Sequence, residues 1–312
     1  MRRTLHKDVT FTGVGLHSGA PAAITIARSD TASGINFLRV DVPLEHQLIP
    51  ARYDLVTDTQ LCTRLTNEHG VSIGTVEHVM AAIAGCGITD AFIAVDGPEV
   101  PIMDGSSAAF VQGLLDAGFD VLTSPARAIR IINTVTVEDK GRVASLAPSD
   151  VFEMDYRIAF DDPVIGEQNK SLTLVNGAFV AELSDSRTFG HLSEVEHLRN
   201  LGLAQGGSMQ NAIVVDQGRV LNPDGLRHAD EFVRHKMLDA VGDLALAGAP
   251  IIGRYQGVKA GHEMTNLLLR ELFKRPDCWV WDIVSERNCL GGEITAMTPP
   301  MTAEAAFDTL AV

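Results

Sequence analysis

The sequence predicts an α+β protein of two similar domains that arose by internal duplication, with the first domain at residues 1–125 and the second at 126–312. Each half opens with short strand-like segments separated by Gly, Ser and Asp. Each half then continues as helix, small-residue stop, strand, turn and helix, and the stops read AGCGI and AGAPI. The hairpin-like starts of both halves argue against the alternative of one parallel doubly wound sheet.

In the first half, strands come first and an apolar helix follows. Residues 1–60 alternate in short pieces such as AAITIA and GINFLRV, which predict strands and turns. Segment 74–88 has apolar residues at helical spacing and ends in glycines. Segment 90–97 predicts a strand, and 101–119 predicts a turn, a Ser N-cap and an amphipathic helix that ends at Gly118.

The second half repeats this order and adds an insert. Its longest predicted helix is stopped by Gly248, Ala249 and Pro250. The predicted elements are strand-like segments at 127–148 and 151–160, a less regular insert that ends near 202–216, a helix at about 230–247, a strand at 251–261 and a helix at 262–275.

Composition narrows the class of protein. The formal charge is −15, from 40 acidic against 25 basic residues, which argues against nucleic acid as a partner. The four cysteines are scattered, as is typical of reduced thiols in the cytosol. No apolar signal segment follows the first residues, and no run approaches the ~20 apolar residues that span a bilayer. We therefore expect a cytoplasmic monomer without stable membrane insertion.

A polar stripe runs along the predicted helix at 230–247. His235, Asp239 and Asp243 recur every fourth residue, so they lie within about 80° of one another around the helix. One interpretation is a solvated helix face. The other is a metal site, because a His and an Asp four residues apart project side by side as two ligands of one ion must.

Two further segments contain candidate catalytic groups in addition to this stripe. Glu77 and His78 are adjacent in a helix and diverge by about 100°, so one could bind a metal while the other reaches the water bound to that metal. Alternatively, both are ordinary surface residues. His262 stands at a predicted helix start, where a charged imidazole needs an acid partner, and Asp243 is the candidate.

The duplication relates these segments to one another. It places the Glu77–His78 pair and the His235–Asp239 pair on equivalent helices of the two halves. If the helix layers pack together, the pairs meet in one cleft. Two imidazoles and a carboxylate suit zinc or another divalent transition metal, with one position left open.

Taken together, the motifs resemble the family of UDP-3-O-acyl-N-acetylglucosamine deacetylases, the zinc amidases of lipid A biosynthesis in Gram-negative bacteria. The resemblance covers essentially the whole chain and implies helix layers sandwiched between two β-sheets. The motifs are GVGLHSG (13–19), TVEH (75–78), PIMDGS (101–106), SRTFG (186–190), FVRHKMLDAVGDL (232–244) and KAGH (259–262).

The resemblance also implies a reaction, hydrolysis of the 2-acetamido group to acetate and a free amine. A zinc ion would lower the pKa of its water from 15.7 to about 7. The implied roles are zinc ligation by His78, His235 and Asp239, general-base catalysis by Glu77, oxyanion stabilisation by protonated His262 and by Thr188, and orientation of His262 by Asp243.

The implied substrate is an acylated UDP-amino sugar. Arg142 falls where the family commonly has a lysine near the diphosphate, which keeps the charge but changes the geometry. The insert at 188–215 is the implied acyl-chain passage, although these residues could simply pack the insert, and His191 stands where an apolar or aromatic residue is expected. The substrate-binding candidates are His17, Arg142, Phe160, Phe189, Leu192, Ser208, Lys236 and Lys259.

Three alternative functions agree less well with the sequence. A different zinc amidase, such as a peptidase, is disfavoured because the sequence has no H-E-x-x-H helix. A binding module with a structural metal is disfavoured because such sites usually take four Cys or His ligands. A dinucleotide loop at 13–19 is rejected because a strand follows where a helix is required.

Overall fold

Two large β-sheets organise the computed structural model, which describes residues 1–292. The strands are β1 (Arg3–Leu5), β2 (Val9–Val14), β3 (Pro21–Arg28), β4 (Ile35–Arg39), β5 (Leu48–Pro50), β6 (Val56–Asp58), β7 (Arg64–Thr66), β8 (Ser72–Ile73), β9 (Ala91–Asp96), β10 (Phe119–Val121), β11 (Arg127–Ile131), β12 (Val135–Asp139), β13 (Arg142–Ala147), β14 (Phe152–Ala159), β15 (Glu167–Thr173), β16 (Phe189–His191), β17 (Ile213–Asp216), β18 (Arg219–Val220), β19 (Ile251–Val258) and β20 (Trp279–Ile283). The α-helices are α1 (Glu77–Gly85), α2 (Ala108–Ala117), α3 (Ala178–Glu182), α4 (Leu192–Asn200), α5 (Glu231–Ala245) and α6 (His262–Lys274).

The first sheet has the strand order β2-β3-β9-β4-β5. Strand β3 alternates between buried and accessible positions, so Ala22, Ile24 and Ile26 face the core, as the AAITIA pattern predicts. Along the sheet the pairings are antiparallel, antiparallel, parallel and antiparallel.

The second sheet has seven strands, and five of them repeat the order of parallel and antiparallel pairings seen in the first sheet. Across the sheet, the successive pairings are antiparallel, antiparallel, parallel and antiparallel for the neighbouring strands β12, β13, β19, β14 and β15. Strands β11 and β20 extend the sheet beside β19. Strand β20 was not predicted from the sequence.

The sheets are therefore mixed, which confirms the α+β class and excludes one parallel sheet across the described residues. The shared pairing pattern agrees with an internal duplication, which itself stays a prediction. So do the domain bounds: the predicted boundary falls between β10 and β11, and residues 293–312 of the predicted second domain lie outside the described part.

Helices lie between the two sheets. Helix α2 packs on β2 of the first sheet, α6 packs on β12 and β13 of the second, and α1 packs against α5 across the middle. The α1–α5 contact is close because Gly242 has no side chain: a Cβ there would overlap the carbonyl oxygen of Glu77. One continuous apolar core runs through both sheets and the helices between them.

Two small three-stranded sheets and one two-stranded sheet, in which β1 pairs with β10, complete the described fold. The order β6-β7-β8 forms a sheet that leads directly into α1, and we call it the entry sheet. The order β16-β17-β18, together with α4, builds the insert, which is more regular than the sequence predicts. Within residues 1–292, no helix is both long enough and apolar enough to cross a bilayer.

The Ser side chain that accepts an N–H at the start of α2 is that of Ser106, whose Oγ bonds to the N–H of Ala108 at 3.1 Å, and not that of the N-cap residue. Ser107 stands at the N-cap position, but its side chain makes no cap hydrogen bond. Its hydroxyl instead donates to the carbonyl oxygen of His78, at 2.8 Å. A residue expected to stabilise its own helix therefore ties α2 to the turn of α1 that carries His78.

Candidate metal and catalytic centre

Three side chains predicted as metal ligands converge between α1 and α5. Asp239 Oδ1 lies 3.5 Å from His78 Nε2 and 3.3 Å from His235 Nε2. One ligand atom from each of these residues lies within 4.8 Å of the others, and all three side chains are buried. The His78 and His235 rings meet edge to face, with centroids 5.1 Å apart.

The donor set fits a divalent ion with nitrogen and oxygen ligands. Among the described residues, Asp239 Oδ1 is buried without a hydrogen-bond partner, which is costly unless a cation binds it. Asp239 Oδ2 accepts from Lys236 Nζ at 2.7 Å, so the carboxylate is anchored through its other oxygen.

The His235 ring is held in the form that a metal requires. Its Nδ1 lies 3.0 Å from the carbonyl oxygen of Ser186, which can only accept, so Nδ1 carries the proton and Nε2 faces Asp239 with a lone pair. Burial lowers the pKa of His235 to about 4, which keeps the ring neutral. His78 Nδ1 has no such acceptor in the described part of the chain.

Glu77 lies beside the ligand set at the first position of α1. It is 3% exposed, and its Oε2 accepts the backbone N–H of Thr63 at 3.0 Å. Burial raises the pKa of Glu77, although the charges of His262 and His78 work the other way. A buried carboxylate with a raised pKa is suited to accept a proton near neutral pH.

Asp243 and His262 form the predicted pair. Asp243 Oδ2 lies 2.8 Å from His262 Nδ1, and Asp243 Oδ1 accepts the Thr63 hydroxyl at 2.6 Å. Burial alone would lower the pKa of His262, but the charge and hydrogen bond of Asp243 outweigh it and raise the pKa to about 9. The imidazole is therefore protonated at neutral pH.

The predicted residues of the SRTFG segment lie next to this centre. Thr188 stands two residues after Ser186, and its backbone N–H donates to the carbonyl oxygen of Gly105, in PIMDGS. The Phe189 ring lies 6.1 Å from the His235 ring and 5.6 Å from the ring of Phe160, between centroids. Phe160 is 39% exposed, so these aromatic rings lead from the surface to a metal-ligand candidate.

His17 is more enclosed than a surface substrate contact. Its backbone N–H donates to Glu99 Oε1 at 2.8 Å, and both ring nitrogens are buried without a partner among the described residues. Burial lowers its pKa, so the ring is neutral. Its carbonyl oxygen accepts from the N–H of Gln205, which joins this loop to the insert.

The remaining substrate candidates occupy more exposed positions. Arg142 is engaged by Asp139 and, at 2.8 Å, by Glu263, the residue after His262. Lys259 is exposed and has a φ of 51°, three residues before His262. Leu192 starts α4, and the Ser208 N–H donates to Asn211 Oδ1.

Sequence reasoning missed several residues that hold the centre. Thr63 and Ser186 act mainly through backbone groups or a single hydroxyl, for which no periodic pattern exists. Arg187 lies in a motif that the sequence did highlight, yet received no role. Its guanidinium Nε donates to Glu231 Oε1 at 2.9 Å, and Glu231 is fully buried on α5.

Comparison with known proteins gives a consistent result. The family model described as "LpxC: UDP-3-O-acyl N-acetylglycosamine deacetylase" matches residues 2–274. A UDP-3-O-acyl-N-acetylglucosamine deacetylase of Phenylobacterium zucineum is 46% identical over 278 residues, covering 89% of this chain and 95% of the relative. Proteins of the same name from Shewanella frigidimarina and Pasteurella multocida are 46% and 45% identical, covering 89% of this chain and 91% and 92% of their own.

Proposed function

The chain belongs to the UDP-3-O-acyl N-acetylglycosamine deacetylase family, and we propose that it hydrolyses the 2-acetamido group of a UDP-3-O-acyl-N-acetylglucosamine in lipid A biosynthesis. The products are acetate and the free glucosamine amine. The observation that carries the proposal is the convergence of His78 with His235 and Asp239, beside Glu77 and the Asp243–His262 pair.

We assign zinc to the ligand set formed by His78, His235 and Asp239. Two imidazoles and one carboxylate match the three protein ligands of a catalytic zinc site and leave a position open. The unpartnered Asp239 Oδ1 supports this assignment. When bound, the ion supplies Lewis acidity, which polarises the amide carbonyl and acidifies water.

Glu77 acts as the general base. It accepts a proton from the water whose oxygen attacks the amide carbonyl carbon. Its raised pKa makes it a stronger base than an ordinary carboxylate, which favours this proton transfer. Its position beside His78 on α1 supports this role. The Thr63 N–H occupies Oε2, so Oε1 is the oxygen available for the proton.

His262 acts as a positively charged hydrogen-bond donor and then as the general acid. As an imidazolium it stabilises the negative charge that develops on the carbonyl oxygen, and it then gives a proton to the amine nitrogen as the C–N bond breaks. Asp243 holds the Nδ1–H, so Nε2–H is the donor. The Thr188 hydroxyl is the second donor to the same oxygen.

The substrate extends from this centre in two directions. Lys236, Arg142, Lys259, Phe160 and His17 are the candidates for the sugar, uridine and diphosphate groups. Phe189, Leu192 and Ser208 are the candidates for the acyl chain, in a passage that runs into the insert. The contact between the rings of Phe189 and His235 supports an apolar passage that begins beside the centre.

Turnover tests the proposal directly. The purified chain, with its zinc content measured, is incubated with UDP-3-O-acyl-N-acetylglucosamine, and acetate and the free amine are quantified. We expect stoichiometric release of both products. A metal-loaded chain that releases neither product would support a metal-binding module without this activity, and turnover restricted to acetylated peptides would support a different zinc amidase.

A further inference from the structure

Thr63 connects the catalytic groups of both helices. It is 2% exposed and lies directly before β7 of the entry sheet. Its N–H donates to Glu77 Oε2 at 3.0 Å, and its hydroxyl donates to Asp243 Oδ1 at 2.6 Å. Its carbonyl oxygen accepts from the N–H of Val76, the N-cap residue of α1, at 3.4 Å. Every polar group of this residue therefore bonds to α1, α5 or the segment that starts α1.

This arrangement addresses an electrostatic problem in the cleft. Glu77 and Asp243 are both buried carboxylates, on different helices, and like charges at such positions repel each other. Thr63 donates one hydrogen bond to each of them. One residue thus fixes the position of both carboxylates relative to the backbone of the entry sheet.

The hydroxyl also determines what Asp243 can do for His262. With Oδ1 held by Thr63, the Asp243 carboxylate cannot rotate freely, and Oδ2 stays directed at His262 Nδ1, 2.8 Å away. Since that bond selects which imidazole nitrogen faces the cleft, the hydroxyl of Thr63 acts on the orientation of His262 through Asp243.

We propose that Thr63 is a positioning residue for the hydrolysis reaction, and that its hydroxyl keeps Asp243 and His262 aligned with Glu77. The catalytic part of this inference rests on the proposed function, because it assumes that Glu77 and His262 act in the hydrolysis. The inference concerns a residue whose hydrogen bonds, in the described part of the chain, go to Glu77, Asp243 and Val76 and to none of the metal-ligand candidates.

Three variants test this role. Thr63→Val keeps the side-chain shape and the backbone N–H but removes the hydroxyl, and Thr63→Ser restores the hydroxyl. Thr66→Val is the matched control, because its hydroxyl bonds to Thr57 on the neighbouring strand, outside the centre. We expect kcat to fall about 10- to 100-fold in Thr63→Val, with KM and zinc content unchanged. Thr63→Ser and Thr66→Val should keep the kcat of the unmodified chain.

A second readout does not depend on activity. In metal-free protein with 15N-labelled histidine, the proton between His262 Nδ1 and Asp243 gives a downfield resonance, assigned by its loss in His262→Gln. Thr63→Val should shift this resonance upfield or broaden it, whereas Thr63→Ser should leave it in place. Circular dichroism and thermal melts identify any variant that fails to fold.

The outcomes separate the two proposals. Thr63→Val with unchanged kcat and an unchanged resonance overturns the positioning role. If the unmodified chain does not hydrolyse the acylated UDP-sugar, the proposed function fails, while the histidine resonance still decides whether Thr63 orients His262.

Discussion

At the scale of single residues, the centre divides its work between adjacent side chains on one helix. His78 joins the metal-ligand candidates and Glu77 does not, because neighbouring helical residues diverge by about 100°. On α5 the division runs along the helix axis instead: Asp239 and Asp243 lie about one turn apart on the same face, and Asp239 joins the ligand set while Asp243 bonds to His262. Substitutions at neighbouring positions should therefore have different consequences.

Glu77→Ala should retain zinc and lose most activity, whereas His78→Ala should lose zinc. The expected loss of kcat in Glu77→Ala is about 10²- to 10⁴-fold, the range that general-base catalysis contributes. Metal analysis of both purified variants, together with turnover, checks this. If both variants bound zinc as the unmodified chain does, the ligand assignment would be wrong.

Activity should fall as the pH rises through about 9, because His262 must be protonated to act and Asp243 raises its pKa to about that value. The raised pKa means that the active form persists well above the ordinary titration range of histidine. A pH profile of kcat measures this alkaline limb. His262→Gln should lack the limb, and a variant profile that keeps it would contradict the assignment.

At the scale of elements, the contact between α1 and α5 depends on one missing side chain. Helix propensity alone predicts that Gly242→Ala stabilises α5 by about 1 kcal/mol. The overlap of a Cβ with the Glu77 carbonyl predicts the opposite, a loss of about 1–3 kcal/mol from overpacking, together with displacement of Glu77 and His78. Chemical denaturation and zinc affinity distinguish these outcomes, since a more stable variant with unchanged affinity would exclude the overlap.

The residue directly before the insert, Arg187, is joined to α5 through a buried ion pair with Glu231. Glu231 accepts from the backbone and guanidinium of Arg187, and these hydrogen bonds lower its pKa although burial works against them. A depressed carboxyl pKa stabilises the folded state above the unfolded value, and the stabilisation is lost as pH falls through the folded value.

Glu231→Gln should therefore destabilise the chain by about 3–5 kcal/mol at neutral pH, with a smaller deficit in acid. The matched control is Glu167→Gln, which breaks the exposed pair with Arg157 and should change the free energy of unfolding by less than about 1 kcal/mol. Urea denaturation at several pH values measures both. Equal effects of the two substitutions would contradict a special role for the buried pair.

At the scale of the whole molecule, the two halves meet at the metal-ligand candidates. His78 comes from the first predicted domain, and His235 and Asp239 come from the second. A bound ion should therefore stabilise the entire fold, by about 2.7 kcal/mol when its free concentration is a hundred times Kd. A chelator should lower the melting temperature, and His78→Ala should show no such response. A chelator effect of equal size in that variant would place the ion elsewhere.

The sequence predicted which distant residues converge better than it predicted which residues hold them in place by hydrogen bonds. His78, His235 and Asp239 carry recognisable spacing within a repeated order of elements, so their meeting could be inferred. Thr63 and Ser186 could not be found in this way, because a backbone N–H or carbonyl belongs to every residue and the single hydroxyl of Thr63 forms no sequence pattern. The local capping rule predicted a Ser cap for α2 but could not say which of the two serines would bond elsewhere; Ser106 accepts an N–H of α2, and Ser107 donates to the carbonyl oxygen of His78 on a different helix.

The buried charges of the centre have one more consequence. Asp239 and Asp243 are buried carboxylates in a pocket where Lys236 and protonated His262 are the cations, and Glu77 adds a third carboxyl group whose pKa burial raises. These carboxyl groups would attract a divalent cation, and the pocket with that cation bound would carry a positive net charge. The filled pocket then attracts small anions, so acetate should be retained after cleavage and carboxylate salts should compete with the substrate.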